Sequence, residues 1–102
     1  MAKVYSFKED FQQIVYLESG KKKVGLASCP HHGHYQIFLI EEIPMLEQDL
    51  RKRNVQGLEV SAECVAPVFE AVDAVEAGRM CPFELAARVN FLFESLDPAI
   101  TN

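Results

Sequence analysis

The sequence predicts an α+β protein: a small antiparallel sheet, formed by a β-meander and one later strand, packed against three helices in the order β-β-β-α-β-α-α. Three observations predict it. Residues 12–41 are rich in β-branched and aromatic side chains and carry a turn signal at Ser19-Gly20-Lys21. Residues 44–54, 67–77 and 82–97 repeat apolar side chains at helical spacing, and each stretch begins at a proline, Pro44, Pro67 or Pro82. Residues 58–64 alternate apolar and polar. With 102 residues, 49% of them apolar, and no linker or repeat, the chain forms one domain over 1–102 around one core.

The opening segment admits two readings. Ser6 followed by Glu9 matches a capping box, after which Phe7, Phe11, Ile14 and Val15 share a helical face that Gly20 closes. Against this, Ile14-Val15-Tyr16 is β-branched and aromatic, and the Ser19-Gly20-Lys21 turn joins it to a second such run. The hairpin is the favoured reading, with strands near 12–18 and 22–29.

The next strand is Tyr35 to Glu41. Tyr35, Ile37 and Leu39 point one way and Phe38 and Ile40 the other, the pattern of a central strand covered on both faces or of one lying against a partner. Pro44 then opens a helix in its first turn, where a missing N–H costs nothing. Ile43, Leu46 and Leu50 form its inward stripe, and Asn54 and Gly57 end it.

In "LEVSAEC" Leu58, Val60, Ala62 and Cys64 alternate with Glu59, Ser61 and Glu63, so a half-buried strand is expected over 58–64. A helix capped by Ser61 competes, but it would hold Pro67 in its interior at a cost of about 3 kcal/mol. Starting the helix at Pro67 removes that conflict. It then runs to Ala77 with Val68, Phe69, Val72 and Val75 inward, and Gly78 stops it.

The last helix starts at Pro82 and ends at Asp97-Pro98, since a residue before proline avoids the α region. It carries two apolar stripes. Leu85, Val89, Leu92, Phe93 and Leu96 make the inward one; Phe83, Ala87 and Phe91, spaced four apart, make a second on nearly the opposite side. A surface helix needs one stripe, so the second is expected to be covered by another helix of this chain or by another molecule, a partner or a second copy.

Charge sharpens that expectation. Residues 1–53 hold eight basic and seven acidic side chains, a net of +1, whereas residues 54–102 hold two basic and eight acidic ones, a net of −6. An acidic half repels phosphates, which argues against direct nucleic-acid binding, and it suits a basic partner. No stretch of 18 apolar residues marks a membrane span, and "MAKVYSFKED" lacks the apolar core of a secretion signal, so a cytoplasmic location is expected. Three cysteines, an odd number, do not form a disulfide framework.

Three further features carry chemistry. Cys29, His31, His32 and His34 crowd one short loop with Pro30 and Gly33. Thiolate and imidazole are zinc and copper ligands, but tetrahedral sites gather ligands from two separated pairs, and adjacent histidines in an extended loop point apart. Cys64 or Cys81 would have to complete such a site. A solvated turn is the favoured reading, with no metal or cofactor expected. Cys81, just before Pro82, reads as a small residue at a helix start. The triplets Lys21-Lys22-Lys23 and Arg51-Lys52-Arg53 read as a solvated turn and a solvated helix end, without the interleaved aromatics of a single-strand binder. No nucleophile elbow, phosphate loop or HExxH pattern is present, so catalysis is not expected.

The expected function is therefore that of a small acidic, non-enzymatic protein-binding module: an adaptor, regulator or inhibitor acting by contact on a protein partner or on a second copy of itself. Its site would be Phe83, Ala87 and Phe91 with Glu70, Asp73, Glu76, Glu84 and Glu94 as rim. The alternative is a metal-binding or thiol-redox protein using the Cys29, His31, His32 and His34 loop.

Overall fold

Three successive hairpins build most of the sheet. In the computed structural model, which describes residues 1–9, 12–29 and 37–96, the strands are β1 (Ala2–Glu9), β2 (Gln12–Ser19), β3 (Lys22–Cys29), β4 (Ile37–Glu41) and β5 (Leu58–Val60). The helices are α1 (Ile43–Arg53), α2 (Ala62–Glu76) and α3 (Pro82–Ser95). The strand order is β4-β3-β2-β1-β5 and every pairing is antiparallel. The architecture is the α+β sheet with three helices that the sequence predicts, with one strand more.

That extra strand is β1. Ser6 and Glu9 do not cap a helix: β1 pairs with β2 from Ala2↔Ser19 to Glu9↔Gln12. Its other edge pairs with β5 from Ala2↔Val60 to Val4↔Leu58. Two neighbouring strands satisfy far more backbone groups than one capping box does, so tertiary pairing overrides the local signal. Between β2 and β3 the two-residue turn holds Gly20 at φ +62°, in the left-handed region glycine enters without strain.

The sheet is apolar on both faces because α1 crosses from β4 at one edge to β5 at the other. One face packs Val4, Val15, Leu17, Leu26 and Phe38 against Val65 and Val68 of α2 and Leu85, Val89 and Leu92 of α3. The opposite face packs Ile14 and Tyr16 against Leu46 and Leu50 of α1, with Tyr5 and Phe7 beside them. Ser28, buried between strands, accepts a hydrogen bond of 2.7 Å from the Gln13 N–H and so is satisfied.

β4 is not the central strand its double apolar pattern suggests. It forms an edge of the sheet, and its pattern has a different cause: Phe38 enters the main core beneath α3, while Leu39 on the other face is 47% exposed. Tyr35 lies outside the described residues.

Helix α1 has Pro44 in its first turn and ends at Asn54, which adopts the left-handed conformation at φ 53°. The alternation over 58–64 misleads beyond Val60. Pairing on β1 reaches Ala2↔Val60 and stops, leaving 61–64 with no strand partner. The chain instead forms α2 from Ala62, with Ser61 as N-cap and Pro67 inside the helix. The additional turn buries Val65 completely, worth about 1.5–3 kcal/mol, which offsets most of the roughly 3 kcal/mol expected for the proline. Pro67 also sits in the second turn, so the bond it removes is the single one that would reach the Glu63 carbonyl.

Candidate functional site

Helix α3 divides as its two stripes predict. Leu85, Ala86, Val89 and Leu92 are buried, whereas Phe83 is 53% and Phe91 67% exposed, with exposed Ala87 between them. Phe93, read as inward, is half-buried. Glu84 and Glu94 are exposed on the same helix, and Glu70, Asp73 and Glu76 on α2, which packs beside it. Together α2 and α3 hold six acidic side chains and one basic one, Arg88, so the layer they form is strongly negative. Asp73 and Glu76 also line a cleft of 730 Å³ together with Lys21, Lys22, Lys23, Ile40 and Phe69.

Cys81 is the N-cap residue of α3 and is exposed. Cys64 is half-buried in the first turn of α2, its Sγ 3.3 Å from the Ser61 Oγ. His31, His32 and His34 and the side chain of Cys29 lie outside the described residues. Among the described residues no group of three or more His, Cys, Asp or Glu side chains is placed to hold a metal ion.

A second arrangement was not legible in the sequence. Tyr16, fully buried on β2, donates its hydroxyl to Glu47 Oε1 of α1 at 2.7 Å, and Lys23 Nζ of β3 donates to the same oxygen at 3.2 Å. Tyr5 stands edge-on to Tyr16, ring centroids 5.7 Å apart at 65°. These groups line a 390 Å³ cleft between α1 and the sheet, together with Glu18, Arg51 and Asn54. The signal was there in part. Tyr16 follows Ile14 by two positions on β2, and Glu47 follows Leu46 on α1, so each adjoins an inward position. That the two positions meet depends on how α1 crosses the sheet, which no local pattern states.

The electrostatics follow from this geometry. Burial, then the hydrogen bond to the Glu47 carboxylate, pushes the Tyr16 phenol well above its usual 10.0. The Tyr16 and Lys23 hydrogen bonds hold Glu47 below its usual 4.5. The signs of the pH dependence are then fixed. A raised Tyr16 means the unfolded chain ionises first, so stability is full below pH 10 and falls as the pH rises past it. A depressed Glu47 means the unfolded chain binds the proton first, so stability falls as the pH drops through and below 4.5. Tyr16→Phe is expected to be less stable than the parent at neutral pH and to show a shallower loss at both extremes. Urea midpoints measured at intervals from about pH 3 to 12 check this; parallel curves for parent and variant would contradict it.

No protein family, curated protein or solved structure matches the chain.

Proposed function

We propose that this chain is a small acidic protein-binding module that works by contact, without chemistry of its own, and docks a basic partner protein on α3. The observation that carries the reading is the exposure of Phe83 and Phe91 on a helix whose other side is committed to the core. Two aromatic rings two turns apart, with small Ala87 between them, suit the anchor positions of an interface, where aromatics supply most of the binding energy.

Charge selects the occupant. A second copy docking face to face would set Glu84 and Glu94, and the acidic side chains of α2, against their own images, and like charges across an interface disfavour that contact. A basic surface meets the same groups favourably. A nucleic-acid-binding protein, whose cationic site this acidic layer would cover, is the most specific form of the reading.

The test is Phe83→Ala with Phe91→Ala. Truncating two anchors is expected to weaken association by at least about 100-fold, with the circular dichroism spectrum and the urea midpoint close to the parent's. The partner, identified by mass spectrometry after capture from the native host, is expected to be basic and to dissociate with rising salt. A captured set that the double variant leaves unchanged would sink the proposal. So would a parent that sediments as a dimer and a variant that sediments as a monomer, because the face would then serve self-association.

A further inference from the structure

The two edges of the sheet, β4 and β5, are finished differently. β5 is three residues long and leads at once into α2, so it offers a second strand little to pair with. β4 is five residues long and holds no proline, lysine or arginine, the residues that usually blunt an edge. Its ladder runs to β3 alone. Among the described residues no other backbone hydrogen bond reaches β4, so its outward N–H and C=O groups are left for water or for a further strand. Addition of an extended segment is the binding mode that such a row of groups supports.

The side chains of β4 select the segment. Opposite an antiparallel neighbour, Leu39 and Glu41 lie on the α1 face, and Phe38 and Ile40 lie on the face of the main core. Leu39, 47% exposed, gains cover from an apolar side chain across from it, and Glu41 pairs with a basic one. Half-buried Ile40 continues the apolar pairing. The α2–α3 layer on that side holds six acidic side chains and one basic one, so cations flanking the segment are attracted. A second copy is a poorer occupant. Paired antiparallel through the same edge, it would continue the sheet with both helical layers on one side, acid beside acid.

We propose that the outer edge of β4 binds an extended basic and apolar segment of a partner protein as an added antiparallel strand, with an apolar residue opposite Leu39 and a basic one opposite Glu41. The contact uses neither Phe83 nor Phe91, so it stands or falls separately from docking on α3.

The experiment is an amide NMR titration of the full chain with three capped peptides: KKVLVKK, its charge-reversed form EEVLVEE, and KKVPVKK. The last keeps the charge, but its central proline lacks the N–H that a ladder needs. KKVLVKK is expected to shift the β4 amides saturably below about 1 mM and to slow exchange of those not bonded to β3. EEVLVEE and KKVPVKK are each expected to bind at least about tenfold more weakly. Leu39→Ala is expected to weaken KKVLVKK at least about threefold, and Glu41→Gln to flatten its dependence on salt. Phe83→Ala with Phe91→Ala is expected to leave the titration unchanged. Equal binding of the proline peptide would rule out strand addition, and equal binding of the acidic peptide would rule out the charge match. A shift confined to other elements, or no saturable shift up to about 10 mM, would also overturn the proposal. So would β4 amides that slow as the concentration of the peptide-free chain rises, because the edge would then pair with a second copy.

Discussion

Gly25→Val is expected to undock α1 while leaving the meander and the α2–α3 layer in place. Gly25 is buried on β3, directly across from Tyr16, and a Cβ there would overlap the Leu46 Cδ1. The missing side chain is thus the hole into which Leu46, 97% buried, inserts. Alanine asks only for a rotamer change at the flexible end of Leu46. Valine adds two further carbons in the same place, and β-branching fixes where they point. Overpacking of this kind costs about 1–3 kcal/mol where the helix stays docked. If α1 lifts instead, burial of Leu46 and Leu50 is lost at about 1.5–3 kcal/mol each, so the expected loss is about 3 kcal/mol or more. Hydrogen exchange distinguishes this from general unfolding. Amides of α1 should lose protection, whereas those of β2 and α3 keep theirs relative to the new global stability. Because Tyr16–Glu47 spans the same layer, the alkaline and acid limbs of stability should flatten in this variant too.

What the sequence reveals and hides follows from the range of each interaction. The two stripes of α3 were readable because helical spacing is a property of neighbours: Leu85, Val89 and Leu92 fall inside and Phe83 and Phe91 outside as the spacing requires. The Gly20 turn and the Asn54 stop were readable for the same reason. β1 was not. Val4 packs to one face and Tyr5 and Phe7 to the other, so no alternation marks it, and its two partners lie in separate parts of the chain. A helix start at Ser61 is disfavoured locally by the cost of Pro67 in the helix interior. What reverses it is non-local: β1 ends its pairing at Val60, and Val65 finds a place in the core. The cleft is the extreme case, since positions 18, 23, 47, 51 and 54 come from two strands, β2 and β3, and from α1 with its C-cap. Each triplet read alone is a solvated charge run. Only the crossing of α1 over the sheet brings Lys23 of one and Arg51 of the other to the same cavity.

Phe38→Ala and Leu39→Ala separate the two faces of β4, and the contrast tests its place at the edge. A central strand covered on both sides would lose similar stability at either position. Here Phe38 is 1% exposed within the main core and Leu39 is 47% exposed on the face that α1 shares. Truncating Phe38 removes a ring beneath α3 in the region where Leu26 and Ile40 also pack. The expected cost is about 3–5 kcal/mol, the transfer of the ring plus the cavity it leaves. Leu39 keeps nearly half its surface in water when folded, so its truncation should cost at most about 1 kcal/mol. For a domain near 100 residues the first loss lowers Tm by about 12–40 °C, enough to unfold a marginally stable chain, and the second by less than about 8 °C. Thermal melts of the two variants beside the parent measure both. Comparable losses would place β4 inside the sheet or beneath a further layer, and they would remove the explanation given for its double apolar pattern. A large loss at Leu39 alone would mean that the face it shares with α1 is more fully covered in solution, which sedimentation of the parent would reveal as self-association.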